Sequence, residues 1–296
     1  MFNLSYIFST KNRLPLLKIT LGNLLNKRLP DEEIVVVDGN SSDGTKEYLE
    51  QLLADGKIHQ LLSEPDQSQA HGWNKAMLLA NGIIIKKIID DDIFDYDAIR
   101  KCTDYMLKNP DIDVVISNDL LSSLSNYKNI QKTTRLPQFN KWKNKLQPSF
   151  TFGDVHLLIR RSSLAYIGLY NTNYVMMDWE YSLRISYLNA NIAYYTGYNA
   201  LSVYHDQSIT ALKNIKQITN QGSRANVFYE YAGDRAGISL WSKIKIAIGK
   251  RIKKKEHKNQ YASEVNKDLS VIYTYLQSQI EMINANGDFK FIKKIE

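Results

Sequence analysis

Residues 83–94 read Ile-Ile-Ile-Lys-Lys-Ile-Ile-Asp-Asp-Asp-Ile-Phe. The first part, residues 83–89, is typical of a strand that is buried on both faces. Three carboxylates follow it directly, those of Asp90, Asp91 and Asp92. Because adjacent carboxylates repel one another, a bound cation would stabilise this run, and oxygen ligands suit Mg²⁺ or Mn²⁺. The alternative interpretation is a solvated acidic turn, which this stretch alone does not exclude.

Strands and helices alternate over the first hundred residues. The predicted strands are 4–8, 34–37, 58–62 and 83–89, and the predicted helices between them are 14–26, 45–53 and 69–80. This order predicts an α/β fold with a mostly parallel central sheet flanked by helices. Ligands bind at the carboxyl ends of the strands in such sheets. We therefore expect Asp38 and Asp90, which each follow an apolar strand, to face one crevice.

The remainder of the chain divides into two parts. The pattern predicts a helix at 97–108, a strand at 114–116, a basic excursion at 126–147, a strand at 155–159, a helix at 178–188 and strands at 192–195 and 201–204. Beyond residue 215 it is helical and predicts no strand. We therefore expect a main domain over residues 1–214 and a helical C-terminal extension over 215–296.

A basic segment lies within that extension. Residues 243–255 carry seven basic side chains, no acidic ones, and interleaved isoleucines. This pattern suits a basic amphipathic helix on an anionic membrane surface. It equally suits a solvated helix that packs its isoleucines on the main domain. Nucleic acid is not an expected partner, since no recognisable nucleic-acid motif accompanies the segment.

Composition narrows the class of protein further. The 296 residues are 44% hydrophobic, enough for a sizeable core, and the net charge is +7, which is mild for a nucleic-acid binder. The single cysteine, Cys102, excludes an internal disulfide. The first ten residues lack a basic leader, and no apolar run approaches the roughly 20 residues that span a bilayer. We therefore expect a cytoplasmic protein.

Three further residues could carry chemistry. Asp38 could accept hydrogen bonds from a base or a ribose, although Asp-Gly pairs also make turns. Asp178 opens a helix and could act as a general base, or it could simply cap that helix. His205 follows a predicted strand and could complete a metal site or contact a phosphate, although a lone histidine is more often structural.

Together these residues resemble the family 2 glycosyltransferases, which have the GT-A nucleotide-diphospho-sugar transferase fold. The resemblance covers roughly residues 1 to 210. Three segments carry it: Val-Val-Val-Asp-Gly-Asn-Ser-Ser-Asp-Gly-Thr at 35–45, Ser-Glu-Pro-Asp at 63–66 with Trp-Asn-Lys-Ala at 73–76, and the aspartate run at 90–92. Their order and spacing are more specific than any one of them.

The resemblance implies roles for individual residues. Those implied to bind the nucleotide are Thr10, Asn12, Asp38 (on the base, typically uracil), Asp66, Lys75 and Asp91 (near the ribose). Those implied to hold Mg²⁺ or Mn²⁺ are Asp92, with Asp90 as the alternative ligand, and His205 close to the diphosphate. The implied general base is Asp178, with Glu180 next in line.

The activity that the resemblance implies is an inverting transfer of a sugar from a nucleotide-sugar, typically UDP-linked, to a hydroxyl group. A glycan or lipid-linked acceptor on the inner face of the membrane, in bacterial surface polysaccharide assembly, fits the basic segment. The chain departs from the family pattern at Ser68, His71 and Ile89, which leaves open a nucleotide-sugar binding module without transfer activity. A nucleotidyltransferase is disfavoured, because residues 9–13 contain no glycine.

Overall fold

In the computed structural model, the described residues are 2–205, 215–233 and 269–293. Their strands are β1 (Leu4–Thr10), β2 (Glu32–Asp38), β3 (Gln60–Ser63), β4 (Ile84–Lys87), β5 (Ile93–Phe94), β6 (Val114–Ser117), β7 (Asp119–Ser123), β8 (Gln131–Thr133), β9 (Leu158–Arg160), β10 (Ile192–Tyr195), β11 (Ala200–Tyr204) and β12 (Phe291–Lys293). Their α-helices are α1 (Leu14–Lys27), α2 (Thr45–Ala54), α3 (Gln69–Leu79), α4 (Tyr96–Lys108), α5 (Leu136–Lys143), α6 (Leu164–Ile167), α7 (Met177–Tyr187), α8 (Ile215–Phe228) and α9 (Leu269–Ala285).

Two sheets organise these elements. The larger has the strand order β12-β10-β6-β9-β4-β1-β2-β3, and the smaller has the order β5-β11-β7-β8. In the larger sheet β1 pairs in parallel with β2 and β4, whereas β9 runs antiparallel to both of its neighbours. The predicted α/β architecture with a mostly parallel central sheet is therefore confirmed.

The central strands are buried on both faces. All seven residues of β2 are buried, because successive side chains point to opposite faces and helices cover each one. Val36 belongs to the core that α1 and α4 cover, and Val37 belongs to the core that α3 and α7 cover. Burial on both faces makes the sheet a rigid platform for the loops that leave its carboxyl edge.

Two sequence predictions about strands are wrong. The strand expected at 155–159 begins only at Leu158, because Asp154–His156 forms a single 3₁₀ turn in which the Asp154 side chain turns inward to Lys87. The region beyond residue 215 does contain a strand, since β12 pairs antiparallel with β10. The ring of Phe291 stacks there on Tyr105 at 3.9 Å, a contact distant in sequence. The boundary at residue 214 stays a prediction.

The C-terminal helix α9 packs on the smaller sheet. Its Leu276 and Ile280 share a buried cluster with Leu201 and Val203 of β11. Within the described ranges, no helix combines the length and the hydropathy that a bilayer crossing requires. The basic segment at 243–255 lies outside the described residues.

Candidate active site

The site begins where β1, β2 and β4 end. Thr10, the last residue of β1, lies opposite Asp38, the last residue of β2. The Thr10 hydroxyl donates to Asp90 Oδ2 at 2.7 Å. The loops that follow β2 and β4 therefore both lie against the end of β1. The expectation that Asp38 and Asp90 face one crevice is wrong, because Asp38 is fully buried and only Asp90 lines the cavity at this edge.

A cavity of about 640 Å³ opens at this edge. Its lining residues come from the loop after β1, the start of α3, the aspartate run, and strands β7 and β11. They are Ser9, Thr10, Lys11, Arg13, Asp66, Ser68, Gln69, Ile89, Asp90, Asp91, Asp92, Leu121, Ser122, Ser202, Val203 and Tyr204. We call this space the first cavity.

The three aspartates of the run have different partners. Arg13 contacts Asp90 at 3.1 Å and Asp91 at 2.5 Å. The Nε2 atom of His205 lies 2.7 Å from Asp91 Oδ2. Asp92 Oδ1 accepts a hydrogen bond of 2.8 Å from the backbone N–H of Val203. The three aspartates therefore differ in environment. Asp91 lies between Arg13 and His205, whereas Asp92 is hydrogen-bonded to β11.

These partners set the protonation of the run. Burial, followed by the charge of Asp91, raises the pKa of Asp90 to about 6. The same two causes raise the pKa of Asp92 well above its ordinary value. Burial acts on Asp91 too, but the hydrogen bond with His205 and the charge of Arg13 outweigh it and lower its pKa. Asp91 is thus the carboxylate held most firmly in its charged form.

Side chains of the chain itself hold the loop after β2 in place. Asp38 is fully buried and accepts hydrogen bonds from Ser41 and from the Ser63 hydroxyl at 2.7 Å. Asn12 has a φ of 53° and accepts from the Ser42 N–H at 2.8 Å. Neither Asp38 nor Asn12 lines the first cavity. Their predicted contact with a nucleotide stays a prediction.

Asp66 and Lys75 form an ion pair at the start of α3. Lys75 Nζ lies 2.7 Å from Asp66 Oδ1, and Asp66 lines the first cavity whereas Lys75 does not. A Cβ atom added at Gly72 would lie 2.2 Å from Ser9 Oγ and 2.6 Å from Asp66 Oδ2. A glycine at this position therefore allows α3 to approach the end of β1 closely.

A second cavity, of about 690 Å³, adjoins the first. The residues that line both are Ile89, Asp92, Leu121 and Ser202. The others that line the second cavity are Asp119, Arg135, Thr151, Phe152, Gly153, Asp154, Val155, His156, Met176, Asp178, Trp179, Asn226, Tyr231 and Gly233. The two cavities therefore share a wall that includes one aspartate of the run.

Asp178 is the predicted base, and this half-buried residue lines the second cavity. Burial, followed by the charge of Asp154, raises its pKa to about 6. A carboxylate with such a pKa is mostly ionised at neutral pH and binds a proton more tightly than an ordinary aspartate. Glu180 differs, because it is buried in an ion pair with Arg184 at 2.6 Å and does not line the second cavity.

Sequence reasoning did not find the buried network beside Asp178. Lys87 Nζ lies 2.5 Å from Asp154 Oδ2 and 4.5 Å from the centre of the Trp73 ring. The Tyr170 hydroxyl donates to the same Asp154 oxygen at 2.8 Å. The signal was present, since a lysine within an apolar strand requires a buried partner. Arg13 was also missed, although it follows the predicted nucleotide residues Thr10 and Asn12.

Comparison with known proteins identifies the family. The sequence model of glycosyl transferase family 2 matches residues 5–168, more than half of the chain. The chain belongs to glycosyl transferase family 2. The poly-beta-1,6-N-acetyl-D-glucosamine synthase of Staphylococcus epidermidis is 20% identical over 195 residues, which is 64% of this chain and 47% of the synthase. The chain thus spans about half the length of this curated relative.

Two solved structures share the fold of this chain. TarS 1–349 of Staphylococcus aureus, in complex with UDP-GlcNAc, has a TM-score of 0.56 at 15% identity, covering 82% of this chain and 78% of that one. A mannosyltransferase of Pyrobaculum calidifontis, in complex with GDP-Man and Mn²⁺, has a TM-score of 0.53 at 16% identity, covering 96% of this chain and 86% of that one. The predicted GT-A fold and family are therefore confirmed.

Proposed function

We propose that this family 2 protein is an inverting glycosyltransferase that moves a sugar from a nucleotide-sugar to a hydroxyl group of a glycan or lipid-linked acceptor. One observation carries the proposal. Two cavities share a wall, with the aspartate run at the first and Asp178 in the second. A donor in the first cavity would present its anomeric carbon toward an acceptor beside the base. Holding the two reactants in line supplies much of the rate of such a reaction.

We propose that the first cavity also holds a divalent cation, Mn²⁺ or Mg²⁺. Among the described residues, no three His, Cys, Asp or Glu side chains form a metal-binding group. Asp91 and His205 nevertheless offer an oxygen and a nitrogen 2.7 Å apart, and diphosphate oxygens commonly complete such sites. The sequence assigned the metal to Asp92 and Asp90 with His205; we add Asp91 to these ligands. When bound, the cation would neutralise charge on the departing diphosphate.

The residues of the chain have separate tasks in this proposal. Asp178 takes the proton of the acceptor hydroxyl. As it does so, the oxygen of that hydroxyl attacks the anomeric carbon from the face opposite the diphosphate. The oxygen–carbon bond forms as the bond from carbon to diphosphate breaks, so the anomeric configuration inverts. Arg13 contributes a fixed positive charge beside Asp90 and Asp91, which favours the binding of a diphosphate.

The relatives support one donor and one pathway for this proposal. TarS of Staphylococcus aureus was solved with UDP-GlcNAc, and the Staphylococcus epidermidis relative is named for the synthesis of an N-acetylglucosamine polymer. These names support a UDP-linked donor and a role in polysaccharide biosynthesis. A peripheral position on the cytoplasmic face of the membrane fits the basic segment at 243–255.

The test uses Asp178→Asn with the purified full chain. Release of UDP from UDP-glucose, UDP-galactose and UDP-N-acetylglucosamine is followed with Mn²⁺ and without it. Loss of the base should lower the rate by about 10²- to 10⁴-fold, while the Kd of UDP changes less than about twofold. Near-normal turnover in the variant would refute the role of Asp178. UDP binding without hydrolysis in the unmodified protein would instead favour a binding module.

A further inference from the structure

One guanidinium nitrogen of Arg13 bridges two carboxylates of the aspartate run. Arg13 Nη1 donates to Asp90 Oδ1 at 3.1 Å and to Asp91 Oδ2 at 2.5 Å. The Arg13 side chain is only 20% exposed, and both aspartates are buried. Oxygen atoms of closely spaced carboxylates are also the ligands that Mg²⁺ and Mn²⁺ prefer. Arg13 therefore contacts the same oxygens that a divalent cation would use.

The Asp91 oxygen that Arg13 contacts has a second partner. His205 Nε2 lies 2.7 Å from the same Oδ2 atom. A carboxylate oxygen has about two lone-pair sites, and these two neighbours occupy both of them. Asp90 is engaged in a similar way, because its other oxygen accepts from the Thr10 hydroxyl at 2.7 Å. A divalent cation can therefore bind Asp91 Oδ2 only if one of the two neighbours moves.

Arg13 is the neighbour that has to move. A guanidinium group has donors only and cannot ligate a metal, whereas a neutral imidazole such as that of His205 can. The Arg13 backbone is held at the start of α1, where its carbonyl oxygen accepts from the Leu17 N–H at 2.9 Å. Its side chain lines the first cavity. The guanidinium can therefore move into the cavity on its flexible stem while the backbone stays in place.

The charges around the first cavity link a metal to a diphosphate. A cation that displaced Arg13 alone would leave the guanidinium without a carboxylate partner and close to a second positive group, which is unfavourable. A diphosphate supplies new partners, because guanidinium groups bind phosphate oxygens through paired hydrogen bonds. Arg13 and the aspartate run line the same cavity of about 640 Å³. A diphosphate bound there can contact both Arg13 and a cation on the run.

We propose that Arg13 and the divalent cation compete for the oxygens of Asp90 and Asp91, and that a bound diphosphate draws Arg13 away so that metal and nucleotide bind together. This inference rests on the proposed function, which assigns both ligands to the first cavity. It adds the residue that couples the two binding events. Mn²⁺ should therefore bind weakly to the chain alone and at least tenfold more tightly when UDP is present.

The test measures the Kd of Mn²⁺ on the purified full chain by electron paramagnetic resonance, with UDP and without it. Arg13→Met keeps most of the stem and removes the charge. Without UDP, this variant should bind Mn²⁺ about tenfold more tightly than the unmodified chain, because no charged hydrogen bonds have to be broken. Its affinity for UDP without metal should fall about three- to tenfold. Arg13→Lys restores a positive charge and should bind Mn²⁺ alone as weakly as the unmodified chain.

A matched control is available in the same cavity. Lys11 also lines the first cavity, but it is exposed. Lys11→Met removes the same charge and should change the Kd of Mn²⁺ less than about threefold, because solvent screens an exposed charge. The melting temperature gives a second measurement if Arg13→Met folds poorly. It should be low in EDTA and should recover with Mn²⁺, since the cation replaces the missing charge beside Asp90 and Asp91.

The inference is overturned if Arg13→Met binds Mn²⁺ no more tightly than the unmodified chain, or if Lys11→Met tightens Mn²⁺ binding as much. It is also overturned if the unmodified chain binds UDP but no Mn²⁺, because Arg13 would then replace the metal. Failure of the proposed function is distinguishable. UDP would then not bind to the unmodified chain under any condition, whereas the competition is measured with Mn²⁺ alone.

Discussion

The two cavities differ in how the polar side chains around them are paired. Around the first cavity the aspartate run is paired within the protein, through Arg13, His205 and the backbone of Val203. Around the second, Asp154 is paired with Lys87, but three buried side-chain atoms of the lining residues have no hydrogen-bond partner. The residues that line the second cavity also lie mostly outside the motifs that carry the family resemblance.

The largest effect should come from breaking the buried pair beside the second cavity. Lys87 and Asp154 are both buried, so Lys87→Met leaves a carboxylate without its counter-charge. We expect the free energy of unfolding to fall by about 3–5 kcal/mol in urea denaturation. The double variant Lys87→Met, Asp154→Asn removes both charges and should recover about half of that loss or more. A double variant less stable than the single one would contradict this account.

An exposed pair provides the control for that measurement. Lys27 and Glu281 form an ion pair in which both side chains are 42% exposed. Because water screens such pairs, Lys27→Met should cost less than about 1 kcal/mol. The difference between the two lysine variants measures how much burial near the second cavity increases the cost, in free energy of unfolding, of breaking an ion pair.

A medium effect is expected from the charge of Asp178 and should depend on pH. Its pKa is about 6 in the folded chain and 3.8 in the unfolded reference, so protonated Asp178 favours folding below pH 4 and this contribution is lost as the pH rises through 6. Asp178→Asn carries no charge and avoids the loss. Since the residue as a whole is half-buried, we expect the variant to be about 1–3 kcal/mol more stable than the unmodified chain near pH 8.

The pH profile distinguishes this effect from a general change in packing. Near pH 4 the stability gain of Asp178→Asn should shrink toward zero, because the aspartate is then almost fully protonated in the folded chain and about half protonated in the unfolded chain. Asp97→Asn serves as the control, since its side chain is 87% exposed and its substitution should change stability little at either pH. An equal gain for Asp178→Asn at both values would mean that the carboxylate is not strained by its environment.

The first cavity could largely be predicted from the sequence, whereas in the second only Asp178 and the shared Asp92 could be predicted. β-branched runs and directly following aspartates locate the ends of β2 and β4, because strand burial and turn chemistry are local properties. Asp154 follows no strand and has no periodic signal, so its pairing with Lys87 appears only after folding. The position of Asn226 is even harder to predict from the sequence, because it depends on how α8 packs on α7. The short strand β12 was missed for the same reason.

The smallest predicted effect tests whether the first cavity depends only on the family motifs. Tyr273 of α9, far outside the matched residues 5–168, donates its hydroxyl to the Asp91 carbonyl oxygen at 2.8 Å. Tyr273→Phe should lower the free energy of unfolding by about 1 kcal/mol and weaken UDP binding about two- to fivefold, because Asp91 loses a fixed position. Tyr275→Phe on the same helix, whose ring packs on Tyr127, should leave the Kd of UDP unchanged.

If Tyr273→Phe lowers stability while the Kd of UDP, measured by calorimetry with Mn²⁺, stays constant, α9 only supports the fold and the first cavity depends on the motifs alone. If both change, the C-terminal helix is part of the donor site, and the two cavities differ in their chemistry but not in their reliance on distant segments of the chain.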